Sequence, residues 1–125
     1  MHGRSNFATQ AIDLCKNNPG TIIEFPVIDQ RCTPTYVKGL VEAISQLIET
    51  ERWGVYHYTD SGETTRAEVA QFIGNLFCRD YVITQYTGCI AQRGRNSLLD
   101  CFVIERVISR KYPNWKDALR EFIWE

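Results

Sequence analysis

Residues 93–97 read Arg-Gly-Arg-Asn-Ser and place two guanidinium groups, an amide and a hydroxyl within five positions. Arginine forks match paired phosphate oxygens, and Asn and Ser add neutral donors, so Arg93, Arg95, Asn96 and Ser97 suit a diphosphate. The same composition also fits a solvated surface loop, and composition alone favours that simpler reading. A second chemistry would rest on Tyr112 and Lys116, which stand at Tyr-x3-Lys spacing. On one helix, such a lysine lowers the tyrosine pKa for proton donation to a carbonyl. Pro113 breaks the turn between them, so the segment reads as a helix start with Trp115 in the core. His57, between Tyr56 and Tyr58, reads as a core or rim histidine rather than a base. No catalytic residue is assigned.

The five cysteines, Cys15, Cys32, Cys78, Cys89 and Cys101, are odd in number and nowhere take C-x2-C spacing. They read as reduced, mostly buried thiols of an intracellular protein, and with two histidines no metal site is expected. Fourteen basic against fifteen acidic residues leave a net charge of -1, which gives no general attraction to nucleic acid or an anionic membrane. No apolar run approaches the roughly 20 residues that span a bilayer, and the first residues carry no apolar signal core. A soluble, cytoplasmic protein is expected.

The positioning elements follow from periodicity. At 125 residues with 44% hydrophobic content, the chain suits one domain. Phe7, Ala8, Ala11, Ile12, Leu14 and Cys15 form one helical stripe, stopped by Asn17-Asn18-Pro19-Gly20. Thr21 to Ile28 reads as a strand whose Pro26 implies an edge. Val37, Leu40, Val41, Ile44, Leu47 and Ile48 repeat as a second helix, with Thr33 or Pro34 at its start. Gly54 to Thr59 alternates as a short strand before an Asp60-Ser61-Gly62 turn. Thr65 and Glu68 resemble a capping box for a third helix through Phe77. Tyr81 to Gln85 reads as a strand, 86–97 as irregular, and 101–109 and 114–123 as two closing helices. Trp53, Trp115 and Trp124 are taken as core or interface residues. The class is α/β, with about five helices and three short strands.

Five short stretches, in order, carry a family resemblance. Gly3-Arg4-Ser5-Asn6-Phe7 is similar to the G-x-N-F of dTDP-4-dehydrorhamnose reductases, and Ile28-Asp29-Gln30-Arg31-Cys32-Thr33-Pro34-Thr35 to their V-x-D-Q-x-G-x-P-T. Gly54-Val55-Tyr56-His57 with Ser61-Gly62-Glu63-Thr64-Thr65 resembles G-x-Y-H…S-G-x-x-S/T, with Arg66 where tryptophan is frequent. Ala91 to Asp100 resembles A-x-R-P-x-N-S-x-L-D/N, with Gly94 for proline. Tyr112 to Leu119 resembles the closing P-x-W-x-x-A-L.

The resemblance implies the small substrate-binding domain of an extended short-chain dehydrogenase, residues 1–125, lacking the Rossmann half. It places Arg93, Asn96, Ser97 and Arg95 beside a sugar-nucleotide pocket and Asn6 at its mouth, although Asn6 equally suits a plain helix cap. Gln30, Thr33 and Thr35 could line that pocket, with turn and cap roles favoured. It implies a dTDP-sugar nucleotide as ligand, and a dinucleotide-binding domain or a second copy as partner. NADP(H) is implied for a complete member only. The glycines never take the G-x-x-G-x-x-G spacing that holds a pyrophosphate, so no cofactor site is expected in this chain. Residues 91–101 also resemble the regulatory beta subunit of methionine adenosyltransferase, which leaves a non-enzymatic regulatory or scaffold role as the alternative.

Overall fold

Along the chain the elements are α1 (Phe7–Asn17), β1 (Ile23–Val27), β2 (Arg31–Cys32), α2 (Val37–Thr50), β3 (Thr64–Thr65), α3 (Arg66–Leu76), β4 (Tyr81–Gln85), α4 (Phe102–Val107) and α5 (Trp115–Trp124). The structure, a computed structural model, describes residues 6–86, 88, 94–108 and 112–125. It is a mixed α/β fold with five helices among the described residues, as the sequence leads one to expect. The chain divides into two units, Met1–Arg31 with Thr64–Asn96, and Cys32–Glu63 with Ser97–Glu125.

In the first unit α1 and α3 pack on a parallel pair of β1 and β4, registered from Ile23 opposite Tyr81 to Val27 opposite Gln85. Ile23, Phe25 and Val27 are 8% exposed or less, and Ala11 and Ile12 of α1 and Val69 and Ile73 of α3 are also buried. Ile23 donates its amide to Asp80, and the Val27 carbonyl accepts from Tyr86. Because backbone groups alternate sides along a strand, the missing N–H of Pro26 falls on the side away from β4. That explains why a proline is tolerated there. Arg79 closes α1 by donating to the carbonyls of Cys15, Asn18 and Thr21. Burial pushes the Cys15 thiol pKa up, against the opposing pull of Arg79.

In the second unit Ala43, Ile104 and Ile108 form a core ringed by Leu47, Tyr56, Tyr58 and Tyr112. Tyr58 and Tyr112 meet edge to face at 5.3 Å. Gly62 has φ +96°, and a Cβ on it would lie 2.8 Å from Asn114 Nδ2 and 3.0 Å from Trp115 Cδ1. Only glycine satisfies both demands. The turn it makes lets Ser61 donate to the Pro113 carbonyl and accept from the Trp115 amide, which pins the start of α5. The Tyr36 hydroxyl donates to Glu125 and holds that carboxyl below the usual carboxylate range, while Lys38 reaches both Glu121 and Glu125.

Several expectations need correction. Residues 54–59 form no strand; Tyr56 and Tyr58 are half-buried and Val55 is exposed, so the alternation marks a burial pattern without a ladder. The short β2 and β3 pair instead. Helix two starts after Tyr36, not at Thr33 or Pro34, and the Tyr36 amide is met by Asp60 Oδ2 at 2.9 Å. Its core face is built from Gly39 and Ala43, whereas Val37, Val41, Ile44 and Ile48 are 45–62% exposed. Trp115 is buried, but Trp53 and Trp124 are 76% and 74% exposed and belong to no core. Cys78 is exposed and Cys32 and Cys101 are half-buried, so the thiols are less buried than expected; Cys89 lies outside the described residues.

Candidate functional site

In the first unit, the described end of the arginine-rich segment is held by one buried side chain. Gln30, 8% exposed, donates from Nε2 to the Gly94 carbonyl at 2.9 Å. Its Oε1 accepts from Arg66 Nε at 3.1 Å, and its backbone carbonyl accepts the Arg66 amide. Next to it, the Arg31 amide donates to the Arg95 carbonyl at 2.7 Å, and Arg31 bridges Asn96 in parallel register. Arg66 sits at the start of α3 with its guanidinium 5.3 Å from the centre of the Phe7 ring. The Thr65 side chain caps that helix on the Glu68 amide, and the Glu68 carboxylate accepts from the buried Thr64 hydroxyl at 2.7 Å. Only the forward half of the predicted capping box is therefore the one drawn from sequence.

Arg95, Asn96 and Ser97 are exposed. Arg93 lies outside the described residues. Asn6 is an N-cap: its Oδ1 accepts from the Thr9 amide at 2.9 Å and the Thr9 hydroxyl at 3.0 Å. Its acceptor is thereby engaged in capping. Thr33 donates to the Gly62 carbonyl, and Thr35 donates to the Thr33 carbonyl and accepts the Asp60 amide, which are turn roles. Tyr112 precedes α5 while Lys116 lies inside it, with its ammonium 5.7 Å from the Trp115 ring centre. The two are not placed on one helix. His57 is exposed, which removes the core option.

The second unit holds a cleft of about 270 Å³ whose walls include Asp60, Glu63, Asp100 and Glu105. Cys101 Sγ lines it and accepts the Thr59 amide at 3.3 Å. Four carboxylates repel a diphosphate, so this cleft is a poor home for the anion that the arginines suit. Sequence reasoning passed over Gln30 as a clamp. The available signal was a polar residue in the short segment between an apolar strand and a Thr-Pro-Thr turn.

A dinucleotide pyrophosphate needs glycines whose backbone stays open to it at a helix start. Two of the described glycines cannot serve in that way. Gly62 is packed by Asn114 and Trp115, and Gly74 lies inside α3 where a Cβ would come within 2.5 Å of Tyr81. Among the described residues, no three His, Cys, Asp or Glu side chains gather to hold a metal, and no helix is long and apolar enough to cross a membrane.

A family model described as the RmlD substrate binding domain matches residues 2–125. The spore coat polysaccharide biosynthesis protein SpsK of Bacillus subtilis (strain 168) is 32% identical over 128 residues, covering 99% of this chain and 44% of that protein. The dTDP-4-dehydrorhamnose reductase of Bacillus anthracis str. Ames, solved in complex with NADP, matches with TM-score 0.83 at 26% identity, over 98% of this chain and 44% of that one. The dTDP-4-dehydrorhamnose reductase of Yersinia enterocolitica matches with TM-score 0.81 at 22% identity, over 97% and 43%, a likeness of fold alone. The chain spans less than half the length of these relatives. They are reductases and a polysaccharide biosynthesis protein, and so do not favour the regulatory-subunit alternative.

Proposed function

The chain belongs to the RmlD substrate-binding domain family, and from that premise we propose that it is the nucleotide-sugar side of a reductase acting on a dTDP-4-keto-6-deoxyhexose. The observation that carries this reading is the family match across residues 2–125. Arg93 and Arg95 fork onto the diphosphate, with Asn96 and Ser97 as neutral donors. Asn6 serves the rim as a cap. Residues 1–125 act as one substrate-binding domain, and NADP(H) is held by a separate dinucleotide-binding domain, because the glycines of this chain never take the G-x-x-G-x-x-G spacing. When bound, NADP(H) supplies the hydride. The residues here bind and orient the sugar nucleotide.

The exposed stripe Val37, Val41, Ile44 and Ile48 on α2 supports an incomplete assembly, since a contiguous apolar face wants cover. We assign that cover to the dinucleotide-binding domain, with a second copy of the chain as substitute when the domain is absent. The thiols of Cys15, Cys78 and Cys101 suit a reducing cytoplasm.

An oxidation assay tests the division of labour. The chain alone is expected to leave NADPH unconsumed with any keto sugar, and turnover above the blank that vanishes in Tyr112→Phe would overturn it by restoring the Tyr112 and Lys116 pair.

A further inference from the structure

The buried amide of Gln30 faces two partners of opposite character. A guanidinium can only donate and a backbone carbonyl can only accept, so the side chain between Arg66 and Gly94 must offer an acceptor and a donor at once. Among side chains of this length, glutamine does both: Oε1 takes the Arg66 Nε–H at 3.1 Å and Nε2 donates to the Gly94 carbonyl at 2.9 Å. The pairing also fixes which end of the amide is oxygen. At 8% exposure little water can substitute for either bond. The neighbouring Arg31 amide adds the bond to the Arg95 carbonyl, so two successive residues hold two successive loop carbonyls. On the far side, Arg66 is fixed by its own backbone bond to Gln30 and by the Phe7 ring.

We infer that Gln30 is a positioning residue: it sets the backbone from Gly94 to Asn96 so that the Arg95 guanidinium and the Asn96 amide are presented together to a nucleoside diphosphate. It acts through the loop and touches no ligand. A pre-set loop binds more tightly because less conformational freedom is lost on binding. The inference rests on the nucleotide-sugar reading proposed above, and the experiment separates the two.

Gln30→Glu keeps the acceptor for Arg66 and turns that contact into an ion pair, but it sets a carboxylate against the Gly94 carbonyl. Gln30→Met keeps the volume and removes both bonds. Two readouts are taken on the full chain: tryptic cleavage after Arg95 under native conditions, followed by mass spectrometry, and calorimetric titration with dTDP. For Gln30→Glu we expect cleavage to quicken and dTDP affinity to fall about tenfold, because the loosened loop must then be ordered on binding, with a cooperative melt retained. Gln30→Met should reproduce both changes even if the charged variant folds poorly. Cleavage and affinity equal to the unsubstituted chain in both variants overturn the inference alone. Silence of the unsubstituted chain toward dTDP overturns the reading beneath it, and the positioning role with it.

Discussion

Arg93 is the residue on which the anion chemistry leans most, and its substitution has a defined expected effect. Arg93→Ala should weaken dTDP-sugar binding by about 1.5–3 kcal/mol, the usual worth of a hydrogen bond to a charged group; unchanged affinity by calorimetry would remove its diphosphate role. At this scale the sequence was informative wherever chemistry is local. Asn6 is followed three positions on by the amide it caps, so its capping use was readable as one of two alternatives. Gln30 was harder, because Gly94 lies 64 positions away and Arg66 36 positions away. No window of sequence contains that clamp. The same holds for Asp60, whose carboxylate meets the Tyr36 amide that opens α2 and so displaces the start expected at Thr33 or Pro34.

The packing of α3 on β4 turns on one glycine. Gly74 is buried in α3, and a Cβ there would come within 2.5 Å of Tyr81 Cδ1. The Tyr81 ring is backed by Phe25 at 5.8 Å and its hydroxyl donates to Asn75, so it has little room to retreat. Alanine is intrinsically better than glycine in a helix by about 1 kcal/mol, but overpacking against a fixed ring costs about 1–3 kcal/mol. Gly74→Ala is therefore expected to lower the urea midpoint; a raised midpoint would show that Tyr81 yields freely. The three helices α1, α2 and α3 were legible because 3.6-residue periodicity is written in the sequence itself. The strand expected at 54–59 was not found, since a ladder depends on a neighbour that periodicity does not name. The β1 and β4 pair, joined from segments about sixty residues apart in register, was seen only as two separate strands.

For the molecule as a whole, the apolar side of α2 carries the main consequence. Val37, Val41, Ile44 and Ile48 fall at spacings of four, three and four, one stripe of a helix, and all stand exposed. The core face of this helix is built from Gly39 and Ala43, so the apolar stripe that marks the helix in the sequence is left without cover. The chain alone should self-associate through this stripe. Sedimentation over a concentration series should show dimers or larger species, shifted toward monomer by a dinucleotide-binding domain or by Ile44→Lys. A single monomer up to high micromolar, with a cooperative melt, would contradict this. Binding of a sugar nucleotide by the residues around the arginine segment underlies the proposed function. Its most direct test is amide-resolved NMR of the chain titrated with dTDP-rhamnose. Saturable shifts are expected at millimolar ligand or below, centred on residues 93–97 and reaching Gln30 and Arg66. A spectrum that stays unchanged, or shifts confined to the acidic cleft around Asp100 and Glu105, would contradict it.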